Sequence, residues 1–264
     1  MSEQAPSSNP RLSCLVVVHN EDAQLATCLD TLVFADEIVV VLDKCTDKSK
    51  SIASQYTDRL IEGYWEIEGE RRNTGIEACS CDWILEVDAD ERVSDALAQE
   101  IRETIRSAAP GHFLVPYDNY IGETLVRYGW GAAWGVSATV RLFAKDCKRW
   151  GPQRIHPAVT LTGASGRLKN RMIHYVDRDI SDMIARLDRY TTVKAADLRA
   201  SGDIGRFGAN LRRIFSRFYK CYVARRGYLE GYYGFLIALF AGLYPILSHL
   251  KARLEAPSQK GEGS

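Results

Sequence analysis

The chain has 264 residues, a net charge of zero and 46% hydrophobic residues. This length suits one large domain, or one domain with a helical extension, and the balanced charge excludes a globally basic nucleic-acid-binding protein and an acidic disordered chain. The seven cysteines include no CxxC pair, which argues against a zinc ribbon or disulfide scaffold and favours a reducing compartment. The start, MSEQAPSSNPR, lacks the apolar stretch of a secretory signal, so we expect a flexible tail over residues 1–10.

The first part of the chain alternates between predicted strands and helices. Strands are predicted at 12–18, 37–42, 59–61 and 82–87, because continuous apolar runs are typical of strands buried on both faces. Asn20, Asp47 and Ser94 stand where they would cap three of the intervening helices. The short joins between strand and helix predict an α/β fold, with a mostly parallel sheet and helices on both faces.

The pattern changes after residue 112. Short β-like pieces up to 175 are separated by Gly-rich and Trp-rich loops, and Trp130 and Trp134 in one loop either cover a ligand site as a lid or anchor the core. After Asp177 the chain is predicted to be helical. We therefore expect a catalytic domain over 11–177, a helical, membrane-associating extension over 178–255 and a flexible tail over 256–264.

Charge is distributed unevenly along the chain, and the basic C-terminal part suggests binding to an anionic membrane surface. Residues 201–264 contain ten Lys or Arg and four Asp or Glu, which leaves 24 basic and 30 acidic side chains in the first 200. The basic, aromatic stretch 212–226 favours an anionic lipid surface, although it also fits a solvated helix face. Residues 231–250 carry no full charge and could span a bilayer, dip into it, or pack onto the catalytic domain.

Polar side chains follow the predicted strands and indicate one site. Asp88 and Asp90 leave the strand at 82–87, where ligands of parallel sheets bind, and paired carboxylates suit Mg²⁺ or Mn²⁺. The same pair could simply cap a helix and solvate a loop. Asn20 and Glu21 follow the first strand, Asp43 follows the second, and Arg72 lies on the third helix.

The shared position of these groups predicts nucleotide binding. Glu21 and Asp43 can accept hydrogen bonds from a base or ribose, and Arg72 can neutralise a diphosphate. Taken singly, each group is equally explained as a cap or a solvated helix residue. The chain has neither GxxxxGK[ST] nor GxGxxG, so P-loop and dinucleotide sites lack their phosphate-binding loops.

The segments LVVVHNE, EIVVVLDKCTDKS and ERRNTGIEACSCDWILEVDADERVS resemble a family 2 glycosyltransferase with a GT-A fold. Residues 141–143, 151–156 and 174–175 resemble the WaaE-type branch, which is associated with lipopolysaccharide core assembly. The resemblance covers about residues 11–250 and implies a GT-A-like, mostly parallel sheet with flanking helices and a C-terminal helical extension. It also implies sugar transfer, with inversion, from a UDP-linked donor to a lipopolysaccharide-core or lipid-linked saccharide at the cytoplasmic face of the membrane.

Roles carried over from the family fall on the same residues. Glu21 and Asp43 would hold the nucleotide, Arg72 would lie near the diphosphate, Asp88 would meet the ribose or metal, and Asp90 would ligate Mg²⁺ or Mn²⁺. Residues 42–47 read LDKCTD where the family usually has an Asp-Ser-Gly-Ser-Thr-Asp run, so the contacts that read the base are expected to shift.

The general base is the second departure from the family. His156 is followed by Pro157, where the branch usually has His-Glu, so the expected acidic base is missing. An unperturbed histidine side chain has a pKa of about 6.5, which suits this role and makes His156 a candidate base. Asp118 and Glu91 are alternative bases. His156 and His174 could instead be metal ligands or packed histidines.

Two other functions remain open at this point. A nucleotidyltransferase would also use a metal ion and an α/β sheet, but the chain has no Gly-rich basic loop after the first strand to hold a triphosphate. A non-catalytic membrane scaffold would keep the sheet and lose the base, as the His156-Pro157 dipeptide allows.

Overall fold

The computed structural model describes residues 9–131, 134–152 and 158–255. The chain divides into two compact units, the first made of Met1–Tyr117 and Ala138–His174 and the second of Asp118–Ser137 and Tyr175–Ser264. The predicted domain boundaries stay a prediction, and most of the two predicted tails lies outside the described residues.

The described residues form twelve strands and seven α-helices, with a short π-helix at Lys220–Ala224 and a 3₁₀ helix at Gly227–Glu230. The strands are β1 (Leu12–Val18), β2 (Glu37–Asp43), β3 (Leu60–Gly63), β4 (Trp83–Asp88), β5 (Glu91–Arg92), β6 (Gly111–Ile121), β7 (Thr124–Val126), β8 (Ala138–Ala144), β9 (Lys148–Trp150), β10 (Val159–Leu161), β11 (Ala164–Arg167) and β12 (Met172–Asp177). The helices are α1 (Asp22–Asp30), α2 (Ser49–Ala53), α3 (Glu68–Ala78), α4 (Asp95–Ser107), α5 (Ile180–Ser201), α6 (Phe207–Tyr219) and α7 (Gly231–Leu254).

The first unit is built on a mixed sheet with a parallel core. Its strand order is β3-β2-β1-β4-β8-β6-β12-β5, and β3, β2, β1 and β4 run parallel while β8 is antiparallel to β4 and β6. The register places Val18 beside Leu42 and Val17 beside Asp88, so the carboxyl ends of β1, β2 and β4 lie at one edge. The predicted mostly parallel sheet is confirmed.

Both faces of the parallel strands are buried, which explains their continuous apolar sequences. One face packs with apolar residues of α1 and α4, including Leu25, Leu29, Leu97 and Ile101. The other face packs Leu15, Val39 and Val41 against Ile76 of α3. The predicted helices on both faces are therefore confirmed.

The helix caps agree with the sequence only in part. Ser94 caps α4 as predicted, because its side chain accepts a hydrogen bond from the Leu97 amide. Asn20 was expected to cap α1, and this is wrong. The residue before α1 is Glu21, and Asp47 supplies the side-chain oxygen that accepts from the Asp22 amide at 2.9 Å.

The second unit has its own helical core. Residues of the α5 and α7 helices and of the loop after β7 form one apolar cluster, with Trp130, Trp134, Met183, Ile237 and Phe240 among its buried members. Trp134 is fully buried and packs edge-on against Phe240, with the two ring centroids 5.5 Å apart. The Trp130 indole N–H donates to the Val126 carbonyl. The two tryptophans are thus core anchors, and the lid alternative is wrong.

The C-terminal helix is apolar, and its burial is mixed. One helical segment among the described residues, Gly227–Leu254, is long and apolar enough to cross a membrane, with a mean hydropathy of 1.6. About half of its most apolar window is buried inside the protein, and core helices of soluble proteins meet the same criteria. This segment could therefore still span the bilayer, dip into it, or pack onto the protein as a core helix.

Candidate active site

The site is built at the carboxyl edge of the parallel strands, where two turns have an unusual backbone. Asn20 follows β1 with φ of 56° and Lys44 follows β2 with φ of 55°, both in the left-handed region that non-glycine residues rarely adopt. The Asn20 Oδ1 accepts from the Thr46 amide at 2.8 Å, and the His19 Nδ1 lies 2.7 Å from the Asp43 carbonyl oxygen. These bonds tie the two turns together, and such strain concentrates at functional sites.

Asp43 is a buried carboxylate at this edge. Its Oδ2 accepts from Arg71 at 2.9 Å and its Oδ1 from the Trp65 amide at 3.1 Å. Each carboxylate oxygen has a second lone pair, so Asp43 retains acceptor capacity toward a ligand. The structure fixes its orientation before any ligand arrives.

Glu21 faces the same acidic region. Its side chain is half-buried, and burial together with the charges of Asp90 and Asp88 raises the pKa of its carboxyl. Three carboxylates thus share one electrostatic environment. An added cation would relieve their mutual repulsion.

Asp88 is held between two arginines. Its two oxygens accept from Arg141 and from Arg72, the second at 3.3 Å. Burial alone would raise the pKa of Asp88, but Arg141 and Arg72 outweigh it and hold the pKa well below its usual range. Asp88 is therefore an anion whose charge is already compensated within the protein.

Arg72 contacts acidic side chains and one aromatic ring. Its Nε donates to Glu68 at 3.0 Å, and its guanidinium stands 5.0 Å from the centre of the Trp150 ring. At 3.3 Å its bond to Asp88 is longer than the 2.7–2.9 Å typical of charge-assisted bonds. It is also longer than the bond that the same guanidinium makes to Glu68.

The loop around β9 supports Arg72 from behind. The Trp150 amide and carbonyl make paired hydrogen bonds with the Asn73 side chain at 3.0 and 2.9 Å. A Cβ on Gly69 would lie 2.1 Å from the Gly151 carbonyl oxygen, so only glycine permits this approach. The contacts fix α3, and with it Arg72, against the sheet.

Glu91 is buried and fully engaged. Only 1% of its side chain is exposed, its Oε1 accepts from Arg141 at 2.5 Å, and its Oε2 accepts from the Asp88 amide at 2.9 Å. Burial raises the pKa of this carboxyl even though Arg141 opposes the shift. The arrangement favours a role in positioning Asp88 and Arg141 over proton transfer.

Asp90, Glu91 and His174 form a cluster suited to a metal ion. One ligand atom from each lies within 4.8 Å of the others, and the His174 Nε2 is 3.5 Å from the Asp90 Oδ2. Burial would lower the pKa of His174, but the hydrogen bond to Asp90 outweighs it and raises the pKa. The Asp90 Oδ1 is buried and has no hydrogen-bond partner among the described residues. A buried, unsatisfied carboxylate oxygen beside an imidazole fits a cation of the Mg²⁺ or Mn²⁺ type.

The three candidate bases have separate locations. Glu91 belongs to the cluster just described. Asp118 lies in the second unit, where its Oδ1 is 4.0 Å from the Arg127 Nε. His156 lies outside the described residues. The identity of the base stays a prediction.

Two residues of the cluster had no site role assigned from the sequence. Arg141 of β8 is buried and bonds Asp88, Glu91 and, through its Nε at 2.7 Å, the Tyr117 hydroxyl. Arg71 is the partner of Asp43. The available signal for Arg141 was a full charge inside the apolar strand sequence ATVRLFA, since charges are rarely buried unless paired.

Comparisons with known proteins identify the family of the chain. The Glycosyl transferase family 2 model matches residues 13–152, more than half of the chain. The lipopolysaccharide core biosynthesis glycosyltransferase LpsC of Rhizobium meliloti is 24% identical over 257 residues, which cover 91% of each chain. An uncharacterised glycosyltransferase of Rickettsia felis is 24% identical and covers 92% of this chain and 89% of its own.

A solved structure of S. aureus TarS, residues 1–349, aligns with 89% of this chain and 81% of its own at 15% identity, with a TM-score of 0.46. The family match confirms the resemblance noted in the sequence and the GT-A-like α/β fold, and it removes the nucleotidyltransferase alternative. The chain belongs to glycosyl transferase family 2 and is a glycosyltransferase.

Proposed function

We propose that this glycosyltransferase moves a sugar, with inversion at the anomeric carbon, from a UDP-linked donor to a lipopolysaccharide-core or lipid-linked saccharide. The observation that carries the proposal is the Asp90–His174 pair, with its buried unsatisfied oxygen, next to the arginine-bound Asp88 at the carboxyl edge of the sheet. Anionic and cationic groups are placed side by side there. A metal–diphosphate pair needs both.

In this proposal the donor lies along the ends of β1, β2 and β4. Glu21 and Asp43 accept hydrogen bonds from the nucleoside, and Asn20 shapes the turn through its bond to the Thr46 amide. Arg72 exchanges its long bond to Asp88 for a diphosphate oxygen, while Arg141 keeps Asp88 in place. The exchange loses little because the new partner is also an anion.

Asp90 and His174 would hold the metal ion, and Asp88 is proposed as a further carboxylate ligand. A Glu91 oxygen lies within 4.8 Å of the Asp90 and His174 ligand atoms, but both Glu91 oxygens already accept hydrogen bonds. A bound Mg²⁺ or Mn²⁺ supplies charge stabilisation for the departing diphosphate. The acidic groups of the chain concentrate the cation at this edge, and Arg72 adds a second positive charge on the diphosphate.

Inversion requires one displacement, assisted by a base that takes the acceptor hydroxyl proton. His156 and Asp118 are the proposed bases, because both Glu91 oxygens already accept hydrogen bonds. His156→Ala should lower turnover about 10²–10⁴-fold with little change in donor affinity, since a base faces the acceptor. Asp118→Asn, assayed in parallel, decides between them: the base is the residue whose loss lowers turnover in that range.

The acceptor proposal rests on LpsC, a lipopolysaccharide core glycosyltransferase similar along nearly the whole chain. A glycolipid acceptor places the enzyme at the cytoplasmic face of a membrane. The α6 helix supports this, because Phe207, Leu211, Phe215 and Tyr219 recur every fourth residue and are each at least 43% exposed. Exposed apolar side chains beside Arg212 and Lys220 fit the surface of an anionic bilayer.

Vesicle flotation tests the membrane contact. Phe215→Ser should reduce binding to vesicles that contain phosphatidylglycerol, because 72% of the Phe215 residue surface is exposed and free to insert. Unchanged flotation would move the contact away from α6. Circular dichroism confirms that the variant is folded.

The proposed reaction is tested by a panel of nucleotide-sugars assayed for transfer and hydrolysis with Mg²⁺ or Mn²⁺. Asp90→Asn should abolish turnover without unfolding the protein, since the Asp90 side chain is 33% exposed and in this proposal its charge serves a ligand. Asp58→Asn, an exposed acid-to-amide change in the same unit, is the matched control and should retain activity. Wild-type turnover in Asp90→Asn at saturating metal would refute the site.

A further inference from the structure

The second unit contains a cavity that has no part in the site described above. It is a half-open pocket of about 220 Å³, lined by residues of α5, α6 and α7 and of the loop between α5 and α6. This is smaller than the roughly 300–1,000 Å³ of drug-sized sites, and it suits a small polar group.

The cavity is strongly basic. Lys194, Arg206, Arg213 and Arg217 line it, and among the described lining residues the acidic group is Asp203. The Asp203 Oδ1 accepts from the Gly205 amide at 3.1 Å, which occupies this carboxylate in the loop. Four cations and one anion around a small, half-open volume create a local excess of positive charge.

Among these four cations, Arg217 has a buried hydrogen-bond donor without an acceptor. Its Nη1 is buried without a hydrogen-bond partner among the described residues, and its guanidinium stands 5.8 Å from the centre of the Tyr244 ring. Burial and the nearby charge of Arg213 lower the pKa of Arg217. A buried donor without an acceptor costs free energy, which a ligand oxygen in the cavity would recover.

The first turn of α6 adds further donors. Gly205, Arg206 and Ala209 line the cavity, and no side chain caps this helix end. Uncapped amide groups and the helix dipole both favour an anion at a helix N-terminus. This feature and the unsatisfied guanidinium therefore indicate the same kind of ligand.

We infer that the cavity binds a phosphate-bearing anion, a phosphomonoester or diphosphate group, through Arg217, Arg213 and the first turn of α6. The planar arginine guanidinium matches the geometry of phosphate oxygens. The cavity has room for the phosphate group itself, and the rest of the ligand would lie outside it. The group comes either from a soluble phosphate or from a lipid headgroup. The inference does not depend on the proposed reaction, since every residue in it belongs to the second unit.

Titration with inorganic phosphate and with glycerol phosphate, followed by the rise in melting temperature, tests the site. Arg217→Gln should weaken binding about 10- to 100-fold, the loss of a charge-assisted hydrogen bond. Arg212→Gln is the matched control, because it removes the same charge from an exposed position of α6 that does not line the cavity. Arg213→Gln provides a second variant at an exposed, folding-tolerant position if Arg217→Gln is unstable.

Vesicles distinguish the two sources. The wild type and Arg217→Gln are floated with phosphatidylcholine vesicles that contain either phosphatidic acid or phosphatidylglycerol, at mole fractions adjusted to equal surface charge. The first lipid carries a phosphomonoester and the second a phosphodiester. A loss confined to phosphatidic acid assigns the cavity to a lipid headgroup, and a loss of soluble phosphate binding with unchanged flotation assigns it to a soluble ligand. The inference is overturned if no phosphate probe binds, or if Arg212→Gln and Arg217→Gln weaken binding equally.

Discussion

Replacement of Arg141 by Met should strongly destabilise the first unit. Arg141 is 7% exposed and is the shared partner of Asp88, Glu91 and Tyr117. Methionine fills much of the same volume without the charge. The change leaves the carboxylate of Glu91, itself 1% exposed, with the Asp88 amide as its remaining donor.

The expected loss follows from the burial of this pair. Removal of one partner from a buried ion pair typically costs about 3–5 kcal/mol, because an uncompensated charge remains. This is a large part of the roughly 5–15 kcal/mol that stabilises most proteins. Arg141→Met/Glu91→Gln removes the stranded charge while keeping an acceptor for the Asp88 amide, so it should recover about half of the loss or more.

Urea unfolding in EDTA measures the free energies, and hydrogen exchange of β4 and β8 peptides localises the change to the first unit. Both single variants and the double variant complete a double-mutant cycle with the wild type. A loss below about 1 kcal/mol in Arg141→Met would place this arginine among weak surface pairs. Additive losses in the double variant would equally refute the coupling between Arg141 and Glu91.

Three further predictions concern other parts of the fold. Ser94→Ala removes the cap on the Leu97 amide and should lower the unfolding free energy by about 1 kcal/mol, measured by urea titration. The hydrogen bond from Arg102 lowers the pKa of the Asp36 carboxyl. The stability that this bond contributes is therefore complete above the unfolded-state pKa of about 3.9 and is lost as the pH falls through the lower, folded-state pKa. Asp36→Asn should flatten this acid limb of the curve of stability against pH. Trp134→Ala empties a fully buried site and should cost about 3–5 kcal/mol by calorimetry, and a loss below 1 kcal/mol would contradict its anchoring role.

Elements set by local pattern could be predicted from the sequence. The strand Leu12–Val18 was predicted with its observed bounds, because both faces are buried and the apolar run is continuous. Ser94 was recognised as a cap because its hydrogen bond spans three residues. Asp88 and Asp90 were recognised because the end of a buried parallel strand is itself a signal for a ligand.

Features set by distant residues could not be predicted in the same way. Asparagine is a favoured helix-capping residue, but the Asn20 side chain accepts from the Thr46 amide instead. The Asp22 amide at the start of α1 donates to Asp47, which is 25 residues away in the sequence. Arg141 reaches Asp88 because β8 pairs antiparallel with β4, in a register that sets Leu142 beside Leu85. No sequence spacing within β4 or β8 encodes that register, so the arginine partners of the acidic cluster emerge only from the fold.

The central claim is that the Asp90 edge of the sheet binds a nucleotide diphosphate together with a divalent cation. Calorimetric titration of UDP into the wild type and Asp90→Asn, each with Mn²⁺ and with EDTA, tests it most directly. We predict that Mn²⁺ tightens UDP binding to the wild type and to the Asp58→Asn control, and that Asp90→Asn loses this increment while remaining folded. Equal UDP affinity in Mn²⁺ and EDTA for the wild type, or an undiminished increment in Asp90→Asn, would contradict it.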